Sequence, residues 1–138
     1  MSIDQCQPAV EIALQKEGWK IIFSPSHHAI KPENFYIDLE AEYLVENGNG
    51  QPEKIFIEVK CFPGEDKFAR EDFYEAVGQY ITYRTVLRVR GIDADLYLAV
   101  PTHIYSQFKA IIKQVLVDNR INILLVDLAE ERITEWIK

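Results

Sequence analysis

The period of the apolar positions changes along the chain, and each change marks an element. Val10, Ala13 and Leu14 recur at helical spacing. Pro8 before them suits a first turn, where its missing N–H costs little, and Gly18 after them suits the left-handed residue that closes a helix. A first helix is predicted from Asp4 or Gln7 to Gly18. Residues 19–23 read as a short strand and residues 24–34, with Pro25 and Pro32, as a loop. Over 35–45 the period is two: Phe35, Ile37, Leu39, Ala41 and Tyr43 take one face, and Tyr36, Asp38, Glu40 and Glu42 the other. Asn47-Gly48-Asn49-Gly50-Gln51-Pro52 is the strongest turn signal in the chain. The period of two then resumes over 53–62, with Ile55, Ile57, Val59 and Cys61 opposed to Lys54, Phe56, Glu58, Lys60 and Phe62, which predicts a β-hairpin.

Helical spacing returns over 70–87 through Phe73, Val77, Tyr80, Ile81, Arg84 and Leu87. Residues 95–100 and 121–126 are short apolar strands, and Ile104, Phe108, Ile111, Ile112 and Val115 between them mark a third helix. Strand–helix–strand is a βαβ unit, so these two strands should be parallel. Residues 132–137 form a last strand. The fold class is α/β (α+β, a mixed sheet flanked by helices) in the order α-β-β-β-α-β-α-β-β, within one domain spanning residues 1–138.

Glu58 and Lys60 stand two apart on a strand, so their side chains leave one face with Cα atoms about 6.6 Å apart. A loop centred on Asn49 would place Asp38 across from Lys60 and Glu40 across from Glu58. The carboxylates of Asp38, Glu40 and Glu58 would then crowd one patch. Like charges about 4 Å apart repel by roughly 4 kcal/mol at an effective dielectric near 20. Lys60 offsets part of this repulsion and a bound divalent cation the rest. Mg2+ (or Mn2+) fits, because it takes oxygen ligands and often only one or two carboxylates. The plain alternative is a solvated hairpin face, whose mixed charges keep an edge from pairing.

Composition narrows the rest. The chain has 138 residues, 15 basic and 22 acidic, for a net charge of −7. An acidic excess argues against avid, sequence-blind binding of DNA by this chain alone, since that affinity comes from neutralising phosphates. No apolar run approaches the ~20 residues of a membrane helix, and the first residues carry neither a basic stretch nor an apolar core. Cys6 and Cys61, 55 positions apart, are expected as reduced thiols of a cytoplasmic protein.

Asp38 followed by Glu58-Val59-Lys60 resembles the D…(D/E)xK core of the restriction-endonuclease-like PD-(D/E)XK nucleases, which carry it on a central hairpin behind an N-terminal helix. Gln79-Tyr80-Ile81-Thr82-Tyr83 resembles the QxxxY element of their RecB-type branch. Gln79 and Tyr83, four apart, share a helix face. Ile37 stands where a proline often precedes the motif aspartate.

The resemblance narrows to the XisH family, the fdxN element excision controlling factors of cyanobacteria. It is carried by Trp19, residues 35–42, Glu58-Val59-Lys60, Gly78-Gln79-Tyr80, Tyr97-Leu98-Ala99-Val100-Pro101 and Trp136-Ile137, nearly the whole chain. It implies a part in programmed DNA excision beside a site-specific recombinase and a small XisI-like partner, and an endonuclease-like fold. By position, Asp38 and Glu58 are implied as metal ligands, Lys60 as the catalytic lysine, and Gln79 and Tyr83 as supports. Two readings stay open: a Mg2+-dependent endonuclease, and a non-catalytic regulator that binds protein partners.

Arg84 and Arg88, with Arg90, form the densest basic cluster and are candidates to touch nucleic acid, although arginines at a helix end also suit its dipole. Glu11 is read as a solvated helix residue. His27 and His28 are expected on a surface loop, His103 at a helix start, and Tyr80 in helix packing. Self-association is left open.

Overall fold

Two faces of one sheet account for most of the buried apolar side chains. The computed structural model describes residues 6–44, 51–62 and 70–138. Helix α1 (Gln7–Lys16) has Pro8 in its first turn and ends before Gly18, whose φ of +97° is the left-handed geometry the sequence predicted there. Strands β1 (Lys20–Phe23), β4 (Leu39–Leu44), β5 (Pro52–Val59), β6 (Asp95–Pro101), β7 (Asn122–Asp127) and β8 (Arg132–Ile137) form a six-stranded sheet in the order β1-β4-β5-β6-β7-β8. β5, β6 and β7 are parallel and the remaining pairs antiparallel, so the sheet is mixed, as the βαβ pattern requires.

Side-chain alternation along β5 and β6 divides two cores. Ile55, Ile57, Val59, Tyr97 and Ala99 pack on the α1 side with Val10, Ala13 and Leu14. Phe56, Leu96, Leu98 and Val100 pack on the other side beneath α2 (Arg70–Val89) and α4 (Ala110–Asp118). Strands covered on both faces read as nearly continuous apolar runs, as β6 does. Glu58 and Lys60 share the parity of Phe56, so the fold places them under α2.

Four expectations need correction. Residues 24–34 are not a loop: β2 (Ser26–Ile30) pairs antiparallel with β3 (Glu33–Ile37) as a second, two-stranded sheet. The buried positions of β2 are Ser26 and His28, so hydrophobic periodicity had nothing to detect. The strand expected over 35–45 is two strands, β3 and β4, broken at Asp38. Ile37 therefore joins the α2-side core while Leu39 and Ala41 join the α1-side core. The third helix is split into α3 (Thr102–Tyr105) and α4. Between them the Ser106 hydroxyl donates to the His103 carbonyl (2.6 Å), a local bond that competes with continued helix. Cys6 and Cys61 are not free thiols. Cys61 faces the α1 side, where Cys6 opens that helix, and the two form a disulfide with Cα atoms 5.8 Å apart. The turn predicted at 47–50 lies outside the described residues.

Two buried polar contacts tie the layers together. The Tyr80 hydroxyl of α2 donates to the Leu96 carbonyl (2.7 Å) and accepts the Asn122 N–H (3.1 Å), so one oxygen joins the helix to the starts of β6 and β7. On β2, His28 is buried rather than on a surface loop. Arg90 donates to its Nδ1 (2.8 Å), which makes Nε2 the protonated nitrogen, donating to Ser26 Oγ (2.8 Å). Ser26 in turn donates to Glu40 (2.6 Å). This chain pins the small sheet to the end of α2.

Two outcomes follow. Tyr80→Phe should cost about 1–3 kcal/mol, because the Asn122 N–H loses its acceptor while the Leu96 carbonyl keeps the Asn122 side-chain amide (3.2 Å); the shift of a urea unfolding midpoint measures it. Burial first, and the Arg90 charge second, lower the His28 pKa below 6.5. The unfolded chain then binds a proton that the folded one refuses. Stability should fall as pH drops through about 6.5, and this group's share should stop growing below its lowered folded value. Melting curves from about pH 7 to about pH 5 should fall less steeply for His28→Gln than for the wild type, and parallel curves would contradict this account.

Candidate functional site

The register of the β4–β5 hairpin sets the site. Leu39 pairs with Ile57, Glu40 with Phe56, Glu42 with Lys54 and Leu44 with Pro52, so the loop is centred on position 48 rather than 49. Asp38 therefore lies across from Glu58, not Lys60, and Glu40 lies across from Phe56, not Glu58. The crowding of three carboxylates expected from the sequence does not form. Glu40 is buried, but it accepts from Ser26 (2.6 Å) and pairs with Lys54 (3.0 Å). That pairing raises the Lys54 pKa above its ordinary value.

Asp38 and Glu58 are cross-bonded. The Val59 N–H donates to Asp38 Oδ2 (2.8 Å), and the Asp38 N–H reaches Glu58 Oε1 (3.4 Å). These bonds stand where the β4–β5 ladder ends, so the Asp38 carboxylate takes over from the backbone as partner of β5. Lys60, 8% exposed, follows β5, and its N–H continues the parallel pairing by donating to the Ala99 carbonyl (2.9 Å). Phe62, two residues on, has a φ of 53° with its ring buried against Phe108. A bulky residue in that region costs about 1–3 kcal/mol and persists only where packing holds it.

Helix α2 completes the site. The Lys60 ammonium, on a charge that could not stay buried alone, pairs with Glu75 (2.5 Å). Glu75, Gln79 and Tyr83 are spaced by four and share one face of the helix. Gln79 is half-buried there. The Tyr83 hydroxyl is pushed up to about 12, by burial first and then by the negative charges of Glu58 and Asp38. Sequence reasoning missed Glu75, although its place one turn before Gln79 was a usable signal.

The donor set at Asp38 and Glu58 is a pair of carboxylates. It suits a hard cation that keeps several waters and takes few protein ligands, as Mg2+ does. Among the described residues, no group of three or more His, Cys, Asp or Glu side chains gathers as a metal cage.

Arg84 and Arg88 are elsewhere. Arg84 donates to the Asn119 and Arg120 carbonyls (2.9 and 3.1 Å) at the end of α4 and lies over the Tyr80 ring (5.3 Å). Arg88 is exposed. Both line a cleft of about 440 Å3 beside Asp95, Leu96 and Asn122, toward the starts of β6 and β7. Lys60 follows the opposite end of β5. Glu11 stays on α1, half-buried beside Gln7 (3.4 Å). No helix among the described residues is long and apolar enough to cross a membrane.

The XisH protein family model matches residues 1–134. An XisH family protein from Nostoc punctiforme PCC 73102 superimposes with a TM-score of 0.83 at 35% identity, over 95% of this chain and 97% of that one. An fdxN element excision controlling factor protein from Anabaena variabilis superimposes with a TM-score of 0.84 at 33% identity, over 99% and 100%. No curated protein matches the chain. With the family model spanning nearly all of the sequence and the same fold shared at one-third identity, the chain belongs to the XisH family.

Proposed function

We propose that this chain is a controlling factor for programmed excision of a DNA element, built on a restriction-endonuclease-like core whose Asp38, Glu58 and Lys60 form a metal-dependent phosphodiesterase site. The observation that supports this reading is that Asp38, Glu58 and Lys60 come together on one sheet face, the Val59 N–H holding the Asp38 carboxylate and the Asp38 N–H reaching Glu58, with Lys60 paired to Glu75 of α2. The excision role is that of the Anabaena variabilis relative.

In this reading Asp38 and Glu58 hold Mg2+ (or Mn2+). When bound, the ion supplies positive charge at the scissile phosphate and acidifies a water. The Val59 N–H keeps the Asp38 carboxylate fixed in orientation, so little reorganisation is needed as charge develops. Lys60 exchanges Glu75 for a phosphate oxygen and stabilises the charge gathering there. Glu75 is a positioning residue that holds the ammonium in place. Gln79 and Tyr83 wall the site from the helix side. An XisI-like small protein and a site-specific recombinase are the partners that this role calls for.

The second reading is a regulator that cuts nothing. The net charge of −7 and the pairing of Lys60 with Glu75 favour it. The two readings separate on one assay. Purified protein with Mg2+ or Mn2+, with and without the small partner, is given supercoiled, linear duplex and single-stranded DNA. Catalysis predicts nicking or cleavage that falls by about 100-fold or more in Lys60→Ala and Asp38→Asn, the size of losing one charge-stabilising group. Wild-type protein that leaves every DNA form intact, together with excision that survives both substitutions in cells, would sink the catalytic reading and leave the regulator.

A further inference from the structure

The face of the large sheet turned away from Asp38 and Glu58 carries an arc of aromatic rings. Helix α1 has ten residues, a length of about 15 Å, and packs along β8, β1 and β7. Beyond its end at Lys16, four rings line the surface of the sheet in sequence. Tyr43 meets Trp19 at 5.4 Å between centroids, Trp19 meets Trp136 at 6.0 Å, and Trp136 meets Tyr97 edge-on at 5.0 Å. With Glu17 and Glu53 they enclose an open cleft of about 350 Å3.

We propose that this cleft binds a quaternary ammonium group. Aromatic faces attract a cation lying within about 6 Å of the ring centre, and two carboxylates at the same cleft add a negative field. The arc is held in shape before any ligand arrives. The Trp136 Nε1–H donates to Glu17 (3.2 Å), which fixes that indole. Gly18 has no side chain where a Cβ would stand 2.8 Å from the Tyr43 ring, so the tyrosine closes directly on the backbone.

The surroundings also discriminate among cations. A bare ammonium is strongly hydrated, and the ring carbons that make up most of the wall return little of that hydration, so it loses more than a methylated ammonium on entering. The chain's own nearby ammonium, Lys138, behaves this way and pairs with Asp95 at 2.6 Å. A methylated ammonium presents apolar surface with diffuse charge, which matches aromatic walls rimmed by carboxylates. Such a group could come from a free small molecule of the choline type or from a trimethylated lysine on a protein.

Trp19 and Trp136 are the chain's two tryptophans, so fluorescence excited selectively at tryptophan reports on this cleft. Choline, and separately a short peptide carrying trimethyl-lysine, should change that fluorescence saturably. The neutral analogue of choline with carbon in place of nitrogen should bind about tenfold more weakly, the scale of a partly desolvated cation–π contact. Exposed Glu53→Gln, which leaves packing in place, should weaken cation binding a few-fold, roughly one surface charge interaction, and Tyr43→Leu should weaken it further. Binding of the peptide but not choline assigns the ligand to a protein side chain, and the reverse assigns it to a free molecule. If neither cation gives a saturable change, or the neutral analogue matches choline, the proposal is wrong.

Discussion

The bond from the Val59 N–H to the Asp38 carboxylate is where the two sheets of this protein are joined. β4 pairs with β5 as far as Leu39 and Ile57. One residue further, a side chain replaces the backbone as the partner of β5, and the main chain is released to enter β3 and the second sheet. Without that substitution a buried N–H at the end of β5 would lack a partner, at a cost of about 1–3 kcal/mol. The same bond turns the Asp38 carboxylate toward Glu58. Fold and candidate site therefore rest on one contact. It also explains why Ile37 and Leu39, two apart and nominally on one face, enter different cores.

The second constraint is charge beneath a helix. Glu58 and Lys60 follow Phe56 in parity, so the alternation that builds the α2-side core carries two charges under it. A charge in such a place must be paired or neutralised. Lys60 is paired from above by Glu75, whose own side chain is more than half exposed. The pair thus has one desolvated end and one wet end. Water can replace Lys60 as the partner of Glu75 at little cost, whereas Lys60 needs another anion before it can leave. That asymmetry keeps Lys60 from being drawn into bulk solvent and, in the proposed reading, favours its exchange onto a ligand bearing negative charge.

The parts of the fold carried by long apolar periods were legible in the sequence. The faces of β5, the length of α2 and the parallel β6–β7 pair all follow from spacing. β2 was not legible, because its inward residues are Ser26 and His28, and their burial depends on Arg90 and Glu40 from distant segments. The hairpin register was off by one loop position, which is enough to exchange Glu58 for Lys60 as the residue across from Asp38. The face shared by Asp38, Glu58 and Lys60 survived that error because strand parity does not change when a register slips by two. Glu75 could have been found by extending the Gln79–Tyr83 spacing back one turn, since a buried lysine on the facing strand requires an acid within reach. The Cys6–Cys61 disulfide could not, because the wide spacing of two cysteines says nothing about which strand and helix meet.

The acidic balance bears differently on the two surfaces. At about 0.15 M salt, charges separated by more than roughly 8 Å are largely screened, so a net charge of −7 mainly weakens long-range attraction to a duplex and slows encounter. It has little hold over Lys60, which the nearby Glu75 carboxylate pairs directly. In the proposed reading, contact with DNA would then depend on delivery by a basic or DNA-bound partner. The aromatic cleft faces away from the candidate site on the far side of the sheet, and for a cationic ligand the same net charge is an attraction. If both proposals hold, a phosphate at Lys60 and a cation in the aromatic cleft would sit on opposite faces of the sheet and could be engaged at once, because neither ligand has to pass the other.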